Sequence, residues 1–465
     1  MIVLDGTIVN IALPVAQRDL GFSTDDRQWV VTGYALALGS LLLLGGRLSD
    51  LFGRKRLFLI GVGGFAVASA AGGAAGGFPM LLLARVAQGA FAAMLAPAAL
   101  SLVSVTFARD ANERGRAFGI FGAVAGGGGA VGLLLGGVLT QSASWRWCLY
   151  VNLIIAAVAF AGALVWLRDS GRPERVRPDT AGAVTVALGL VGIVFGLGNS
   201  ESKGWTSMWT LGAVVAGAVL VVVFVLIERR ASHPLLPPGV ILDRDRGTAY
   251  LSIGISGIGS FAVFLFLTYY LEDTLSLTPV QTGLAFLPFV GLLVAGAIVS
   301  GAVMPRTGPR PIVPAGCLLA AIGIALLTGI GTASSYAGGV LPALLVLGFG
   351  SGLIFGSAQN AATSGVKSRE AGVASAMVNT TQQVGGSIGT AVFSSLAATA
   401  TTNYLKARAA TATQKATMAD GTVAGYHLVF WIAAAVFLGG AVLAALLFRS
   451  GPLPVDLDVQ PVAVH

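Results

Sequence analysis

Long apolar runs separated by short polar segments cover almost the whole chain. Fourteen of these runs have the length of membrane-spanning helices. They lie near 1–17, 28–46, 57–76, 80–106, 117–140, 147–167, 180–199, 208–227, 248–271, 281–304, 312–331, 338–362, 371–397 and 425–448. The pattern predicts an all-α polytopic membrane protein. The segments 168–179 and 228–247 are long, charged linkers. The segment 398–424 is Ala/Thr-rich and reads as a mobile loop or a short surface helix, and the tail as disordered.

A weak internal repeat organises the runs. Shifting the chain by 255 residues brings Gly46 onto Gly301, Gly53 onto Gly308, Lys55 onto Arg310 and Arg114 onto Arg369. These pairs fall at matching positions between runs, which predicts two six-helix halves, 1–167 and 248–448. Two further helices are inserted in 168–247, and a tail follows at 449–465. Repeated halves mark secondary transporters. The halves are not equivalent: Asp50 corresponds to Pro305 and Arg85 to Val340, so the second half keeps the turn and loses the buried charge.

Charge sets the expected orientation. With both termini cytoplasmic, twenty of the 28 Lys/Arg fall in cytoplasmic segments, seven lie outside and Arg85 lies within a run. That bias follows the positive-inside rule and predicts both ends on the cytoplasmic side of the cell membrane. Hydrophobic residues make up 55% and charged residues 10%, where a soluble chain carries roughly a quarter. The net charge of +8 is scattered over short loops, so it reads as topological and no nucleic acid is expected. Cys148 and Cys317 sit in or beside apolar runs and imply no disulfide framework. No cleavable signal peptide is visible. No Lys completes a phosphate-loop pattern. The three histidines, His233, His427 and His465, lie at loops, a run end or the tail. No ATPase site, metal, cofactor or enzymatic activity is therefore expected.

Few residues can carry chemistry. Asp5, in Leu4–Pro14, is the one acid placed well inside an apolar run. Ionisable residues in spans are costly and functional by default. The first run is about seventeen residues, roughly 25 Å of helix, short for a core of about 30 Å. A truncated or late-starting N-terminus is expected, which places Asp5 near mid-membrane. Arg85 needs a partner or an interface to reach, and Gln88 lies one turn away on its face. Gly119, Gly128, Gly132 and Gly136 form a glycine stripe suited to close helix packing. Gly46–Arg56 holds four basic residues, Asp50, Gly46 and Gly53. Charge alone would make it a cytoplasmic loop and nothing more. Asn379 and Gln383 share a helix face, equally suited to interhelical hydrogen bonds or a substrate.

The spacing G-x-L-x-D-x-x-G-R-K-R (Gly46–Arg56) resembles the loop between helices two and three of the major facilitator superfamily. LDGTIVNIALP (Leu4–Pro14), WVVTGYAL (Trp29–Leu36), R-x-x-Q-G from Arg85, the glycine stripe, SWRWCLYVN (Ser144–Asn152) and ASAMVNTTQQVGGSIGTAV (Ala374–Val392) follow in the family's order. Together they are similar to its fourteen-helix drug:proton antiporter branch, of the EmrB/QacA type. Two departures stand out: Leu133 replaces the proline of the fifth-helix antiporter motif, and Ile154 that of the WRW segment.

The resemblance implies a major facilitator fold, acting as a monomer in the lipid bilayer. It implies export of a small hydrophobic, drug- or antibiotic-like compound in exchange for protons. Asp5 and Arg85 would couple the protons. Gly46, Asp50, Gly53, Arg54 and Lys55 would form a conformational latch between the halves. Asn10, Trp29, Tyr34, Gln88, Asn360, Asn379 and Gln383 are the expected lining of the substrate cavity. With one acid inside the spans, a divalent cation is not an expected substrate. An uptake symporter or uniporter of the same fold is the alternative, and Leu133 leans towards it.

Overall fold

The computed structural model describes residues 1–107, 110–167, 180–231, 234–367, 370–408 and 414–453. The linker 168–179 and the tail from 454, with Arg109 and Arg369, lie outside the described residues. Helices form the architecture, with no strand among the described residues. The first six long helices are α1 (Ile2–Leu20), α2 (Thr24–Phe52), α3 (Arg54–Gly73), α4 (Phe78–Thr106), α5 (Ala111–Ser142) and α6 (Trp147–Trp166). Two inserted helices follow, α7 (Thr180–Lys203) and α8 (Met208–Glu228), and then the short α9 (Pro238–Ile241). The last group is α10 (Arg244–Tyr269), the short α11 (Pro279–Ala285), α12 (Leu287–Thr307), α13 (Pro309–Leu327), α14 (Leu341–Thr363), α15 (Ala371–Arg408) and α16 (Gln414–Leu447).

Fourteen long helices thus stand where apolar runs predict them. Eleven are long and apolar enough to cross a membrane; α1, α7 and α15 are not among these. Asp5, Arg18 and Asp19 dilute α1, and amides and hydroxyls dilute α15. The segment 398–424, expected as a mobile loop or a short surface helix, is mostly helix, but as the ends of two long helices: α15 runs on to Arg408 and α16 begins at Gln414. Its many alanines have the highest helix propensity.

A large buried cluster runs through α10 to α16, with Phe286, Phe289, Phe430 and Phe437 at its heart. A second joins α1, α4 and α6 around Ile8, Leu81 and Leu149. The inserted helices pack on each other where Gly189, Gly192 and Gly196 meet Gly217 and its neighbours. Their apolar side then lies against Leu43 of α2 and Ala376 of α15.

The sequence repeat has a counterpart in the packing. A Cβ on Gly46 of α2 would stand 2.6 Å from the Gly372 carbonyl of α15. A Cβ on Gly301 of α12 would stand 2.4 Å from the Gly115 carbonyl of α5. Gly53 and Gly308, the turns that follow, both take positive φ, +93° and +74°, a region open to glycine. Lys55 donates to the carbonyls of Leu164 and Leu167 at the end of α6. Its counterpart Arg310 donates to Ala445 O and Ser450 Oγ at the end of α16. Basic side chains at helix C-termini satisfy orphan carbonyls and oppose the negative end of the dipole.

One glycine is required by a proline. Pro97 lies inside α4 and leaves the Ala93 carbonyl without its usual i+4 donor. Gly45 of α2 covers that carbonyl so closely that a Cβ would lie 2.0 Å from the oxygen. We expect Gly45→Val to separate α2 from α4 and destabilise the protein by more than the usual overpacking range of about 1–3 kcal/mol. Gly439→Ala in α16, where nothing stands within 4 Å of the new Cβ, is expected to leave stability unchanged or slightly raised. Thermal unfolding of the two purified variants checks this.

Candidate functional site: a buried carboxylate and polar contacts across the bundle

Asp5 is fully buried, and the first bundle closes around it. Its Oδ2 accepts from Arg85 Nη1 at 2.5 Å. Its Oδ1 accepts from Asn152 Nδ2 at 2.7 Å and from Gln88 Nε2 at 3.1 Å. Arg85 Nη1 also donates to Gln88 Oε1 at 2.9 Å, and Arg85 Nε to Val30 O at 3.3 Å. Gln88 Nε2 reaches Ser69 Oγ at 2.6 Å. The Tyr34 ring lies under the guanidinium, 4.3 Å from its carbon to the ring centroid, a cation–π contact. Tyr34 Oη donates to Ile2 O at 3.4 Å. Side chains from α4 and α6 therefore bond the α1 carboxylate directly, and those from α2 and α3 hold its partners Arg85 and Gln88.

The geometry follows from local sequence. Arg85 and Gln88 are three residues apart on α4 and project together. Asp5 stands on the buried face of α1 with Leu4, Ile8, Val9 and Ala12. The glycine stripe of α5 presses that helix inward. A Cβ on Gly132 would lie 2.0 Å from Thr7 Oγ1 and 2.6 Å from Leu4 O, and one on Gly136 would lie 3.0 Å from Ile8 O. Gly128 faces Val3 and Leu4 more loosely, whereas Gly119 turns the other way, towards Ala297 of α12. The stripe thus serves two contacts. Leu133 keeps α5 continuous from Ala111 to Ser142, where proline would interrupt the hydrogen bonding.

The Gly46–Arg56 stretch is not a loop but two helix ends joined at Gly53. Asp50 accepts from the backbone N–H groups of Gly372, at 3.0 Å, and Val373, at 3.3 Å, in the first turn of α15. A carboxylate there satisfies orphan donors and meets the positive end of the helix dipole. Arg54 stands 3.6 Å from Asp50 and donates to Ser101 Oγ of α4 at 2.7 Å. A second clasp lies at the same end of the bundle. Arg114 of α5 donates to Asn360 Oδ1 at 2.7 Å and Thr363 Oγ1 at 3.0 Å, both on α14, and to Ser104 Oγ of α4 at 3.3 Å.

The seven expected cavity residues do not come to one place. Tyr34 and Gln88 belong to the Asp5 cluster, and Asn360 to the Arg114 clasp. Asn10 is exposed, on the face of α1 opposite Asp5. Trp29 is 39% exposed and tilts against Phe195 of α7, 5.8 Å between ring centroids. Asn379 donates to Ser375 O within α15, and Gln383 packs across Gly39 of α2. Ser69 and Asn152 escape a reading of single residues. Asn152 closes the motif Ser144–Asn152, which was a signal; Ser69, a small hydroxyl in an apolar run, gave none.

A helical bundle with a repeated half, an ion pair shut inside one half and polar clasps between the halves defines an integral membrane transporter of the alternating-access kind. A profile of the Major Facilitator Superfamily matches residues 1–390, and the chain belongs to that family. It is 48% identical to the puromycin resistance protein pur8 of Streptomyces alboniger, over 97% of this chain and 89% of that one. It is 37% identical to the cephamycin export protein CmcT of Amycolatopsis lactamdurans, over 84% of this chain and 81% of that one. The proton:xylose symporter XylE shares its fold, with a TM-score of 0.66 over 97% of this chain and 93% of that one, at 13% identity.

Removing one partner of a buried ion pair destabilises by about 3–5 kcal/mol, because the other charge is left uncompensated. Arg85→Gln alone is expected to lose stability on that scale. Asp5→Asn combined with Arg85→Gln should recover much of the loss, since no charge then remains buried. Unfolding of the single and double variants in detergent, read as a double-mutant cycle, checks the pairing.

Proposed function

We propose that the protein exports a small, largely hydrophobic antibiotic-like compound in exchange for protons. The observation that carries this reading is a sealed carboxylate, Asp5, held by Arg85, Gln88 and Asn152. It occurs in a chain similar along nearly its whole length to a puromycin resistance protein. A carboxylate inside a transporter can hold or release one proton, and each state has a different charge against Arg85. Ionised Asp5 neutralises Arg85 and keeps α1 tied to α4. Protonated Asp5 leaves the guanidinium with Gln88, Val30 O and the Tyr34 ring. A ligand shifts a conformational equilibrium only by its differential affinity for the two states, and the proton is such a ligand here. Asp50 acts as the latch, holding the end of α2 to the start of α15 in one of the two states.

The substrate class is an uncharged or singly charged organic molecule, with puromycin the first probe. The unbroken α5 at Leu133 favours one second reading, an uptake symporter or uniporter of the same fold, and flux direction in inverted vesicles separates the two. The protein works as a monomer in the plasma membrane.

Asp5→Asn is expected to abolish puromycin export driven by a proton gradient in reconstituted vesicles. Substrate exchange without a gradient should survive, because Asn imitates the protonated acid. Gradient-driven export that persists in Asp5→Asn would place the proton site elsewhere.

Orientation follows from the twenty-to-seven distribution of basic residues. A reporter fused after Leu446 should read as cytoplasmic, and a periplasmic signal would reverse the topology.

A further inference from the structure

Asp5 has two protonation states, and the groups around it fit the ionised one. Every side chain that touches it donates: Arg85 to Oδ2, Gln88 and Asn152 to Oδ1. A protonated carboxyl group carries an O–H that must itself donate, since a buried donor without an acceptor is destabilising. The site has to supply an acceptor in that state. Arg85 has none. Gln88 is locked, its Oε1 taken by Arg85 and its Nε2 shared between Asp5 and Ser69. Turning it would set its NH₂ against the guanidinium. The Tyr34 hydroxyl is directed at Ile2 O.

Asn152 differs. Its residue is fully buried, its Nδ2 lies 2.7 Å from Asp5 Oδ1, and its Oδ1 is buried with no hydrogen-bond partner. A side-chain amide presents an acceptor and donors on opposite sides of one carbon. Half a turn about its terminal bond exchanges them without moving the backbone. The orientation seen here matches ionised Asp5, and the vacant Oδ1 is the acceptor required by the protonated form.

We infer that Asn152 is a positioning residue for the proton on Asp5. Its amide donates to the carboxylate and, once the proton binds Asp5 Oδ1, turns to accept the new O–H at its own Oδ1. One proton enters and no other bond changes. The inference rests on the reading of Asp5 as the proton site. The charged or titratable groups facing Asp5 are Arg85 from α4, Tyr34 from α2, Cys148 from α6 and the amino group of Met1. Among the described residues α3 offers only the hydroxyl of Ser69 there, and α5 offers glycines. None of these both donates and accepts at Oδ1.

The test is infrared difference spectroscopy on the full chain in liposomes, titrated with pH. The carboxylic-acid C=O band lost in Asp5→Asn identifies protonated Asp5. Asn152→Leu keeps the branched shape and removes both functions of the amide. It should shift the Asp5 band to higher wavenumber, the signature of an acid with fewer hydrogen bonds. Ser69→Ala, which removes a partner of Gln88 but not of Asp5, should leave the wavenumber unchanged and so controls for general loosening. Absence of any Asp5-dependent band between pH 4 and 10 would sink the proton-site reading itself. A band present in wild type but unmoved in Asn152→Leu would overturn the role of Asn152 alone, as would an equal shift in Ser69→Ala.

Discussion

The ion pair between Asp5 and Arg85 is the interaction that the first bundle has to accommodate. Both side chains are at most 1% exposed, and charges removed from water are tolerated only when paired and hydrogen-bonded. That requirement explains groups with no other evident purpose. Gln88 fills the third side of the pair, Ser69 holds Gln88, and Tyr34 covers the guanidinium with a π face. It also explains the glycines of α5. A side chain at Gly132 would push α1 outward at Leu4, the residue before Asp5, and lengthen the pair. Packing and electrostatics are here one constraint. The small residues bring the backbones together, and the short distance sets the carboxylate directly against the guanidinium.

The Asp50 contact obeys the same rule with a different partner. Asp50 is buried at the junction of the halves, and its neutralising field comes from Arg54 and from the first N–H groups of α15. The pseudo-equivalent junction of α12 with α5 has the glycines and the positive-φ turn, but Pro305 replaces the acid. A proline there meets Gly115 by shape alone. One crossing therefore adds a carboxylate and its hydrogen bonds to a close glycine contact, while the other is a steric contact alone. The Arg114 clasp supplies the missing polar connection on the second side, using Asn360 and Thr363.

Much of this was legible in the chain. Apolar runs located the long helices, and the repeat aligned Gly46 with Gly301 and Lys55 with Arg310, residues whose helix contacts and helix-end bonds only the structure shows. Asp5, Arg85 and Gln88 stood out because charge in an apolar run is rare and i, i+3 spacing shares a face. The reading weakened where a function depends on distance across the sequence. Asn360 was expected in the cavity lining, and its partner Arg114 lies 246 residues away. Trp29 was assigned to the cavity from its motif, yet it meets Phe195 on an inserted helix. Ser69 carries no local sign at all. Helix lengths were also understated at 398–424, where composition without bulky apolar residues suggested a loop or a short surface helix but the many alanines extend the long helices.

Helix α4 connects these features. It carries Arg85 at the buried carboxylate, Ser101 at the Arg54 side of the latch and Ser104 at the Arg114 clasp. Arg85 and Ser101 are separated by sixteen residues, about 24 Å along the axis, so the buried carboxylate is too far from the two clasps for direct electrostatic contact. They share a rod, and the rod contains Pro97. Proline inside a helix marks a place where bending is easy, yet Gly45 of α2 lies against the carbonyl that Pro97 leaves free and restrains it there. A displacement of Arg85 therefore has two routes. If Gly45 stays in place, α4 moves as a unit and carries Ser101 and Ser104 with it. If the contact opens, α4 bends at Pro97 and the latch is spared. The closeness of Gly45 to Ala93 favours the first route, in which α4 is one rod from Arg85 at the buried carboxylate to Ser101 and Ser104 at its other end.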